Sequence, residues 1–428
     1  MQTDRRSFLK SAGAVTGAAA AFPTLLPSSV LGAEAPSKNI ALGCIGLGVH
    51  GFGVNLNAFP AQGEARITAV RDVVHALRES ARARVNKRYK NQDCKVFTDF
   101  RRIIEDKSID AVVISTPDHW HVPMSLMAIE AGKDVFCEKL TKAIAEGGTL
   151  VNAVREHGTV FQMGLEDRSV PHYHKMVEWL RNGAIGDLER VEVQLPEGTI
   201  WPKAGETPVP EGTDYNLFVG PAPFMPYHPK LVVSKVWRYV SNFGCGSLLD
   251  WGSRQFDTAQ FAVNAPEVCP VEVEGTGEIP TGMLTDVPVK FDITFRNSTG
   301  AEVHVKSGGT GIRLTGSKGC VGNAQWRGRL EARDPKILHT KHTPERSKHW
   351  PMPVGGHRNF PDCVKSREQP TCPVEIMHLL HASLHMGDLS IRLNRKLKWD
   401  AGKEAFAGDA EADALRVGPQ PRNWQRGG

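Results

Sequence analysis

Short apolar runs alternate with helical patterns along the first part of the chain. The runs occupy residues 40–45, 66–70, 110–115, 133–137 and 159–163. An alternation of strands and helices at this spacing is typical of a parallel, doubly wound sheet. We therefore predict that the chain begins with an α/β domain of this architecture.

The pattern changes after Gly164. Residues 188–195, 287–295, 301–307 and 311–314 alternate in polarity or are rich in β-branched residues, mostly without helical segments between them. Such a series predicts an α+β domain with a large, open-faced and mainly antiparallel sheet. Stretches rich in proline and glycine at 196–230 and 341–357 predict long loops, and loops of this length are commonly functional.

These changes of pattern divide the chain into four parts. We expect a separate N-terminal segment at 1–35, the α/β domain at 38–163 and the open-sheet domain at 164–415, followed by a tail at 416–428. The pattern leaves open whether the C-terminal part of the second domain packs back onto the first domain.

The N-terminus has the features of an export signal. The sequence DRRSFLK at 4–10 precedes a weakly apolar run rich in alanine and glycine at 12–21, and Ala33-Glu34-Ala35 offers small residues for cleavage. This arrangement resembles a bacterial twin-arginine signal. The alternative is a membrane anchor, which the glycines and prolines of the segment disfavour. We expect an exported, periplasmic or otherwise extracytoplasmic protein whose mature form has no stable membrane span.

Composition excludes several other classes. Apolar residues make up 40% and charged residues 23% of the 428 positions, which is ordinary for a globular protein. A net charge of +5 without a long basic block gives no support for nucleic-acid binding. The eight cysteines form no CxxC pair, and no cluster has the spacing of metal ligands, so we expect no metal site.

A glycine-rich turn follows the first strand. Its sequence is Gly46-Leu47-Gly48-Val49-His50-Gly51, and Asp72 closes the next strand. In this context Gly46 permits a tight turn, Gly48 lets the backbone approach a pyrophosphate, and Gly51 allows close helix packing. A carboxylate at Asp72 would accept hydrogen bonds from a ribose and repel a 2′-phosphate. The pattern therefore favours NAD over NADP, although Arg71 beside it moderates the preference.

Several further motifs carry a family resemblance. They are Thr116-Pro117-Asp118-His119-Trp120-His121, Cys137-Glu138-Lys139, the segment GCGSLLDWG at 244–252, DTAQ at 257–260, NFPDCVKSR at 359–367, CPVE at 372–375 and RKLKWD at 395–400. With the glycine turn, they resemble the glucose–fructose oxidoreductase, inositol dehydrogenase and MocA (Gfo/Idh/MocA) family over about residues 38 to 415. The resemblance implies a Rossmann domain followed by an open-sheet domain, with a sugar-like substrate bound between them.

The resemblance also implies roles for individual residues. Those expected to contact the cofactor are Gly46, Gly48, Val49, His50, Gly51, Asp72, Thr116, Pro117, His121 and Glu138. Those expected to contact the substrate are Lys139, Arg168, Asp250, Arg254 and Asp257, among which Lys139, Asp250 and Arg254 are the catalytic candidates. Lys139 would polarise the substrate hydroxyl or accept its proton, since burial and the charge of NAD⁺ both lower the pKa of a lysine.

Two positions depart from the family pattern. The family motif usually continues Glu-Lys-Pro, with a proline that helps to aim the lysine, whereas this chain has Leu140. Arg254 replaces the histidine that usually accompanies the lysine, and arginine stays protonated, so it is no general base. Arg254 either binds an anionic group such as a uronate carboxylate or forms an ion pair along its own helix with Asp250 or Asp257. Other histidines are candidates for the role of the replaced histidine as partner of the lysine, at positions 172, 174, 378 and 381.

Three functions remain open at this point. The first is an NAD(P)-dependent oxidoreductase that moves a hydride to or from a sugar, sugar derivative or cyclitol hydroxyl, with a tightly bound cofactor recycled by a second substrate. The second is redox-assisted glycoside cleavage with catalytic NAD, for which Tyr173, Tyr215 and Tyr239 are candidate acids or bases. The third is a sugar-binding protein with a degraded site. The resemblance also implies a homodimer or homotetramer packed through its sheets.

Overall fold

The computed structural model describes residues 39–232, 234–263, 269–340 and 353–424. The expected export signal at 1–35 lies outside the described residues, as do 341–352 of the second predicted loop and the last four residues of the tail. In the described part of the chain, no helix is both long and apolar enough to cross a membrane.

The first domain is built on a parallel sheet. Within 39–165, six strands pair in the order β3-β2-β1-β4-β5-β6, and every pair is parallel. The strands are β1 Ile40–Ile45, β2 Ala65–Arg71, β3 Lys95–Phe97, β4 Ala111–Ile114, β5 Asp134–Glu138 and β6 Phe161–Gly164. The predicted fold class is confirmed, because this order is that of the doubly wound dinucleotide-binding fold.

Helices cover both faces of this sheet. They are α1 Leu56–Ala61, preceded by a turn of π-helix at Gly51–Asn55, α2 His75–Tyr89, α3 Arg101–Glu105, α4 His121–Glu130 and α5 Ile144–His157. All residues of β4 and β5 are buried, as expected for strands enclosed between two helical layers.

The second domain is a larger, mixed sheet. Among the described residues, nine strands pair in the order β13-β12-β11-β7-β10-β9-β8-β14-β15. They are β7 Leu188–Leu195, β8 Pro270–Glu278, β9 Lys290–Asn297, β10 Glu302–Ser307, β11 Ile312–Gly316, β12 Gly319–Asn323, β13 Glu331–Ala332, β14 Leu397–Asp400 and β15 Ala405–Phe406. In this second sheet β7 pairs with β10 in parallel, and the other pairs among its described strands are antiparallel.

Helices cover the apolar face of this sheet. Phe291, Ile293 and Phe295 of β9 and Val303 and Val305 of β10 are buried in the main core. The helices of this half are α6 Pro171–Arg181, α7 Tyr215–Val219, α8 Gly246–Val263, α9 Gly356–Ser366, α10 Val374–Leu393 and α11 Ala410–Leu415. The opposite face is polar, with cross-strand ion pairs such as Arg296 with Glu272 and Glu302.

The C-terminal part returns to the first domain. Phe360 of α9 packs against Phe59 and Phe136 of the nucleotide-binding domain. Trp424, in the segment expected to be a tail, lies edge-on to Trp120 with ring centroids 4.8 Å apart. The end of the expected tail is therefore anchored on the nucleotide-binding domain through Trp424.

Candidate active site

The glycine turn opens into the main cavity, whose volume is about 690 Å³. Gly46 has φ +90°, and a Cβ there would lie 2.6 Å from the Ser115 carbonyl group. A Cβ on Gly51 would lie 2.1 Å from the Gly46 carbonyl oxygen, whereas one on Gly48 would meet no atom within 4 Å. Two of the glycines are thus required by close packing. The third leaves open space beside the backbone, which fits the close approach of a pyrophosphate.

Asp72 follows β2 and lies against this turn. One carboxylate oxygen accepts the backbone N–H of Leu47 at 2.6 Å, and the other accepts that of Val74 at 2.9 Å. The Arg71 guanidinium is buried, donates to the Thr98 carbonyl oxygen at 2.8 Å and lies over the Phe100 ring. Asp72 therefore fixes the shape of the glycine turn and also lines the cavity where a ribose would bind.

A second group of lining residues follows β4. Thr116 and Pro117 line the cavity, as does His121, which is only 2% exposed. The ring nitrogens of His121 lie 3.0 Å from the Leu140 carbonyl oxygen and 2.9 Å from that of Thr116. His121 therefore braces the loop that carries Lys139.

An acidic cluster lies at the carboxyl ends of β5 and β6. Glu138 accepts a hydrogen bond from Asn55 at 2.9 Å, and His50 lies 3.1 Å from Glu138 and 3.4 Å from Glu166. A Cβ on Gly164 would lie 2.9 Å from the Glu138 carboxylate oxygens, so only glycine leaves room for this carboxylate. Burial lowers the pKa of His50, but the two glutamates outweigh it and raise that pKa to about 10. His50 is thus a cation that neutralises the cluster as well as part of the glycine turn.

Lys139 and Asp250 form the centre of the site. The Lys139 Nζ atom lies 2.5 Å from Asp250 Oδ1 and 2.7 Å from the Asp250 backbone oxygen. Arg238 lies 3.2 Å from the other carboxylate oxygen. Burial lowers the pKa of Lys139, assisted by Arg254 and Arg238 and opposed by Asp250. Burial raises the pKa of Asp250, but the adjacent cations, Lys139 first, hold it below its usual range. The pKa of Lys139 is thus shifted in the direction that an acid–base group requires.

The loop after Lys139 has an unusual backbone. Leu140 is fully buried, and its backbone has φ +124°, a conformation that residues other than glycine rarely adopt. Besides the bond to His121, the loop accepts a hydrogen bond from His385 to the Thr141 carbonyl oxygen at 2.9 Å. Two buried histidines from different helices therefore hold a strained loop beside the catalytic candidate.

Arg254 lies one helical turn beyond Asp250 on α8 and lines the cavity. Its guanidinium pairs with Glu166, at 3.2 Å, rather than with Asp250 or Asp257 in the part of the chain that the structure describes. The Trp251 and Trp326 rings lie 5.9 and 5.1 Å from the guanidinium carbon. The structure thus does not form the ion pair along the helix that was one of the two expectations.

Arg168 and Asp257 lie elsewhere, which corrects their expected place on the substrate wall. They form a two-pronged ion pair, at 2.9 and 2.6 Å, beside a separate cavity of about 230 Å³. Neither residue lines the main cavity. Their pairing is structural, and it ties the turn after β6 to α8.

The alternative histidines do not replace Arg254. His378 pairs with Glu404 at 2.8 Å, and His381 is fully buried beside Ser253. Of the described histidines, those that line the main cavity are His50 and His121. His172 and His174 lie on α6 and do not line it.

Two family descriptions match the sequence. Residues 40–165 match the Gfo/Idh/MocA description "Oxidoreductase family, NAD-binding Rossmann fold". Residues 201–426 match "Oxidoreductase family, C-terminal alpha/beta domain" of the same family.

The chain belongs to the Gfo/Idh/MocA oxidoreductase family. The family prediction made from the motifs is confirmed. The description matched by residues 40–165 is that of an NAD-binding domain, and the packing of Gly46, Gly48 and Gly51 fits such a ligand.

Relatives in this family include sugar and cyclitol enzymes. The chain is 32% identical over 203 residues to a glycosyl hydrolase family 109 protein of Shewanella sp. (strain W3-18-1), covering 43% of this chain and 44% of the relative. It is 34% identical over 154 residues to inositol 2-dehydrogenase of Acidothermus cellulolyticus, covering 36% of this chain and 43% of the relative. The chain thus spans less than half the length of these curated relatives.

A solved structure shares the fold over most of the chain. Levoglucosan dehydrogenase in complex with NADH and levoglucosan superposes with a TM-score of 0.63 at 18% identity, covering 84% of this chain and 99% of that one. At this identity the likeness shows the fold of the family and no more.

Several polar and aromatic residues of the site were missed by the sequence reasoning. Arg238, Trp251 and Trp326 line the main cavity, and Glu166 pairs with Arg254 beside it. Glu166 carried a usable signal, because it follows β6 as Glu138 ends β5, and ligands bind at the carboxyl ends of such strands. Arg238 lies in a short 3₁₀ helix at Lys235–Tyr239 and Trp326 lies in a turn, and neither segment is long enough for a periodicity to show which way a side chain points.

Proposed function

We propose that the chain is an NAD-dependent oxidoreductase that moves a hydride between its nicotinamide cofactor and a sugar, sugar derivative or cyclitol hydroxyl. The observation that carries this proposal is the buried Lys139–Asp250 pair in the cavity into which the glycine turn opens. The inositol 2-dehydrogenase relative supports a polyhydroxylated substrate.

In this proposed reaction, each side chain of the site has a separate role. NAD⁺, when bound, supplies the acceptor for the hydride of the carbinol carbon. Lys139, in its neutral form, accepts the proton of the substrate hydroxyl, and Asp250 stabilises the resulting ammonium group. Arg238 keeps Asp250 ionised and oriented. Glu138, held by His50 and Asn55, lines the cavity beside Lys139.

The replacement of the usual histidine by Arg254 narrows the substrate class. Arginine offers several N–H donors in a fixed plane and does not lose its proton, so it suits a carboxylate better than a neutral hydroxyl. Trp251 and Trp326 beside it supply apolar surface for a sugar ring. We therefore favour an acidic sugar, such as a uronate, among the possible substrates.

A second candidate is redox-assisted glycoside cleavage. The similarity to a glycosyl hydrolase family 109 protein favours it. Of the three candidate tyrosines, Tyr239 lines the main cavity, whereas Tyr173 OH accepts the Arg327 N–H and Tyr215 OH donates to Met225. Release of an aglycone without accumulation of NADH would identify this reaction. Net NADH formation would identify the dehydrogenase.

We also propose that the protein is exported through residues 1–35 and that its cofactor stays bound. Free nicotinamide nucleotides are scarce outside the cytoplasm, so a second substrate would have to restore the cofactor after each turnover. The polar outer face of the second sheet is the surface through which we expect a dimer or tetramer to form, and light scattering of the purified protein tests this.

The deciding experiment is the identification of any bound nucleotide. The purified protein is denatured, and the released compound is identified by mass and absorbance. Stoichiometric NAD or NADH supports the proposal, and a screen of neutral and acidic sugars against the bound cofactor then follows. A protein that arrives empty and binds neither NAD nor NADP overturns the proposal in favour of a sugar-binding protein.

A further inference from the structure

A segment of the second domain crosses to the end of β2. We call residues 212–222 the clasp. The His75 N–H donates to the Gly212 carbonyl oxygen at 2.8 Å, and the Asp214 N–H donates to that of Val73 at 3.0 Å. Val74 and Thr213 pair as an antiparallel bridge between these bonds. The clasp is therefore joined by backbone hydrogen bonds to the residues that directly follow Asp72.

The clasp is also fixed to the turn after β4. The Trp120 indole N–H donates to the carbonyl oxygens of Leu217 and Phe218, at 3.1 and 3.0 Å. Gly220 has φ +51°, and a Cβ there would lie 2.0 Å from the Trp120 ring. Leu217 and Phe218 both line the main cavity, as do Asp72 and Trp120. The clasp thus forms a wall of the cavity and is anchored at two places on the nucleotide-binding domain.

The C-terminal residues hold the clasp from outside. We call residues 421–424 the latch. The Arg422 side chain donates to the Gly220 carbonyl oxygen at 3.0 Å and to Asn216 Oδ1 at 2.9 Å, and its backbone N–H donates to Pro221 at 2.8 Å. Trp424 packs against Trp120 and Phe100. Neither Arg422 nor Trp424 lines the cavity, so the latch acts on the clasp and not on a ligand.

We propose that the clasp and latch retain the nicotinamide nucleotide, so that it is a resident group and not a dissociating cosubstrate. This inference rests on the proposed function, since it assumes a nucleotide at the glycine turn. A nucleotide that leaves past the clasp must wait until the bonds to Val73, His75 and Trp120 open. Its dissociation rate is therefore set by local opening of the clasp.

The latch supplies the first test. NADH release is followed after mixing the loaded protein with excess NAD⁺, by the loss of energy transfer from tryptophan to NADH. We expect Arg422→Ala to speed release by at least about tenfold, since it removes three side-chain hydrogen bonds to the clasp, two of them to backbone carbonyl oxygens. Trp424→Ala is expected to act in the same direction. Arg416→Ala is the matched control, because that guanidinium pairs with Asp413 at 2.8 Å and does not touch the clasp. Equal release rates in Arg422→Ala, Trp424→Ala and the unmodified protein would overturn the proposal.

A disulfide supplies a second test that does not weaken the fold. Val74 and Thr213 are bridge partners, a spacing compatible with a disulfide. In the double variant Val74→Cys/Thr213→Cys loaded with NADH, the oxidised form should exchange the nucleotide for excess NAD⁺ more slowly than the reduced form, because the disulfide prevents the clasp from opening. Equal exchange in the two forms overturns the role of the clasp. Failure of the unmodified protein to bind NADH at all overturns the proposed function instead, so the two failures are distinguishable.

Discussion

At the scale of single residues, the proposed role of Lys139 depends on how its neighbours set its pKa. Burial lowers the pKa of Lys139, and the Asp250 carboxylate partly restores it. Asp250→Asn removes that anion, so the pKa of Lys139 falls further. We expect the rising limb of kcat/KM for sugar oxidation to move to lower pH, because the neutral amine then forms at lower pH. A rising limb that stays in place or moves to higher pH in Asp250→Asn would contradict the assignment.

A second variant tests Lys139 directly. Lys139→Ala should lose at least about a hundredfold in rate while still binding NADH.

Variants of Arg254 test whether the site discriminates between substrates by charge. If it binds a carboxylate, Arg254→Ala should raise KM for an acidic sugar by about ten- to a hundredfold and leave a neutral sugar nearly unaffected. Arg254→His, which restores the usual family residue, should shift the preference towards neutral sugars. Both variants are measured on a matched pair, such as a hexuronate and the corresponding hexose. Unchanged discrimination in Arg254→Ala would show that the guanidinium serves only to hold Glu166.

At the scale of elements, the loop between β5 and α5 has a conformation of its own. Leu140 has φ +124°, whereas proline holds φ near about −65°. Leu140→Pro restores the family residue, but we expect it to destabilise the protein by more than about 1 kcal/mol and to lower kcat by displacing Lys139. Thermal unfolding and turnover are measured together. Increased activity in Leu140→Pro would mean that the loop takes up the conformation of the usual motif.

Helix α8 shows both what a pattern predicts and where it fails. The spacing of Asp250, Arg254 and Asp257 predicts one helical face, which the helix Gly246–Val263 provides. However, Asp257 lies about 10 Å along the axis from Asp250. That distance carries it out of the main cavity and into the pair with Arg168. The spacing along a helix shows which side chains point the same way. It does not show whether each of them reaches the cavity, because the extent of the cavity depends on other elements.

The strands of the second sheet also include some that the sequence pattern predicts and one that it does not. Residues 188–195 were predicted with the bounds that β7 has, since alternation marks a strand with one buried face. β8 was missed, because glycines at 275 and 277 interrupt the pattern where the strand packs closely on Ile391 of α10. The clasp lies in a segment predicted only as a long loop. Its contacts with Val73, Trp120 and Arg422 join distant parts of the sequence, which no local pattern reveals.

At the scale of the whole molecule, we propose that export and cofactor retention depend on each other. A protein that works where free NAD is scarce must be loaded before it leaves the cytoplasm. The twin-arginine route carries folded proteins, so a cofactor enclosed at folding crosses with the chain. The clasp, which forms a wall of the main cavity and is tied to β2, to Trp120 and to Arg422, fits this order of events.

This dependence can be tested with the export signal alone. We expect Arg5→Lys/Arg6→Lys to block export, since both arginines of the signal are replaced while its charge is kept. Cell fractionation should then find the protein in the cytoplasm, folded and carrying NAD or NADH in the same ratio as the exported protein. Lys10→Arg, which also exchanges one basic residue for another, is the matched control and should be exported normally. Normal export of the double variant would contradict the twin-arginine assignment. A cytoplasmic form without nucleotide, alongside an exported form that carries it, would contradict loading before export.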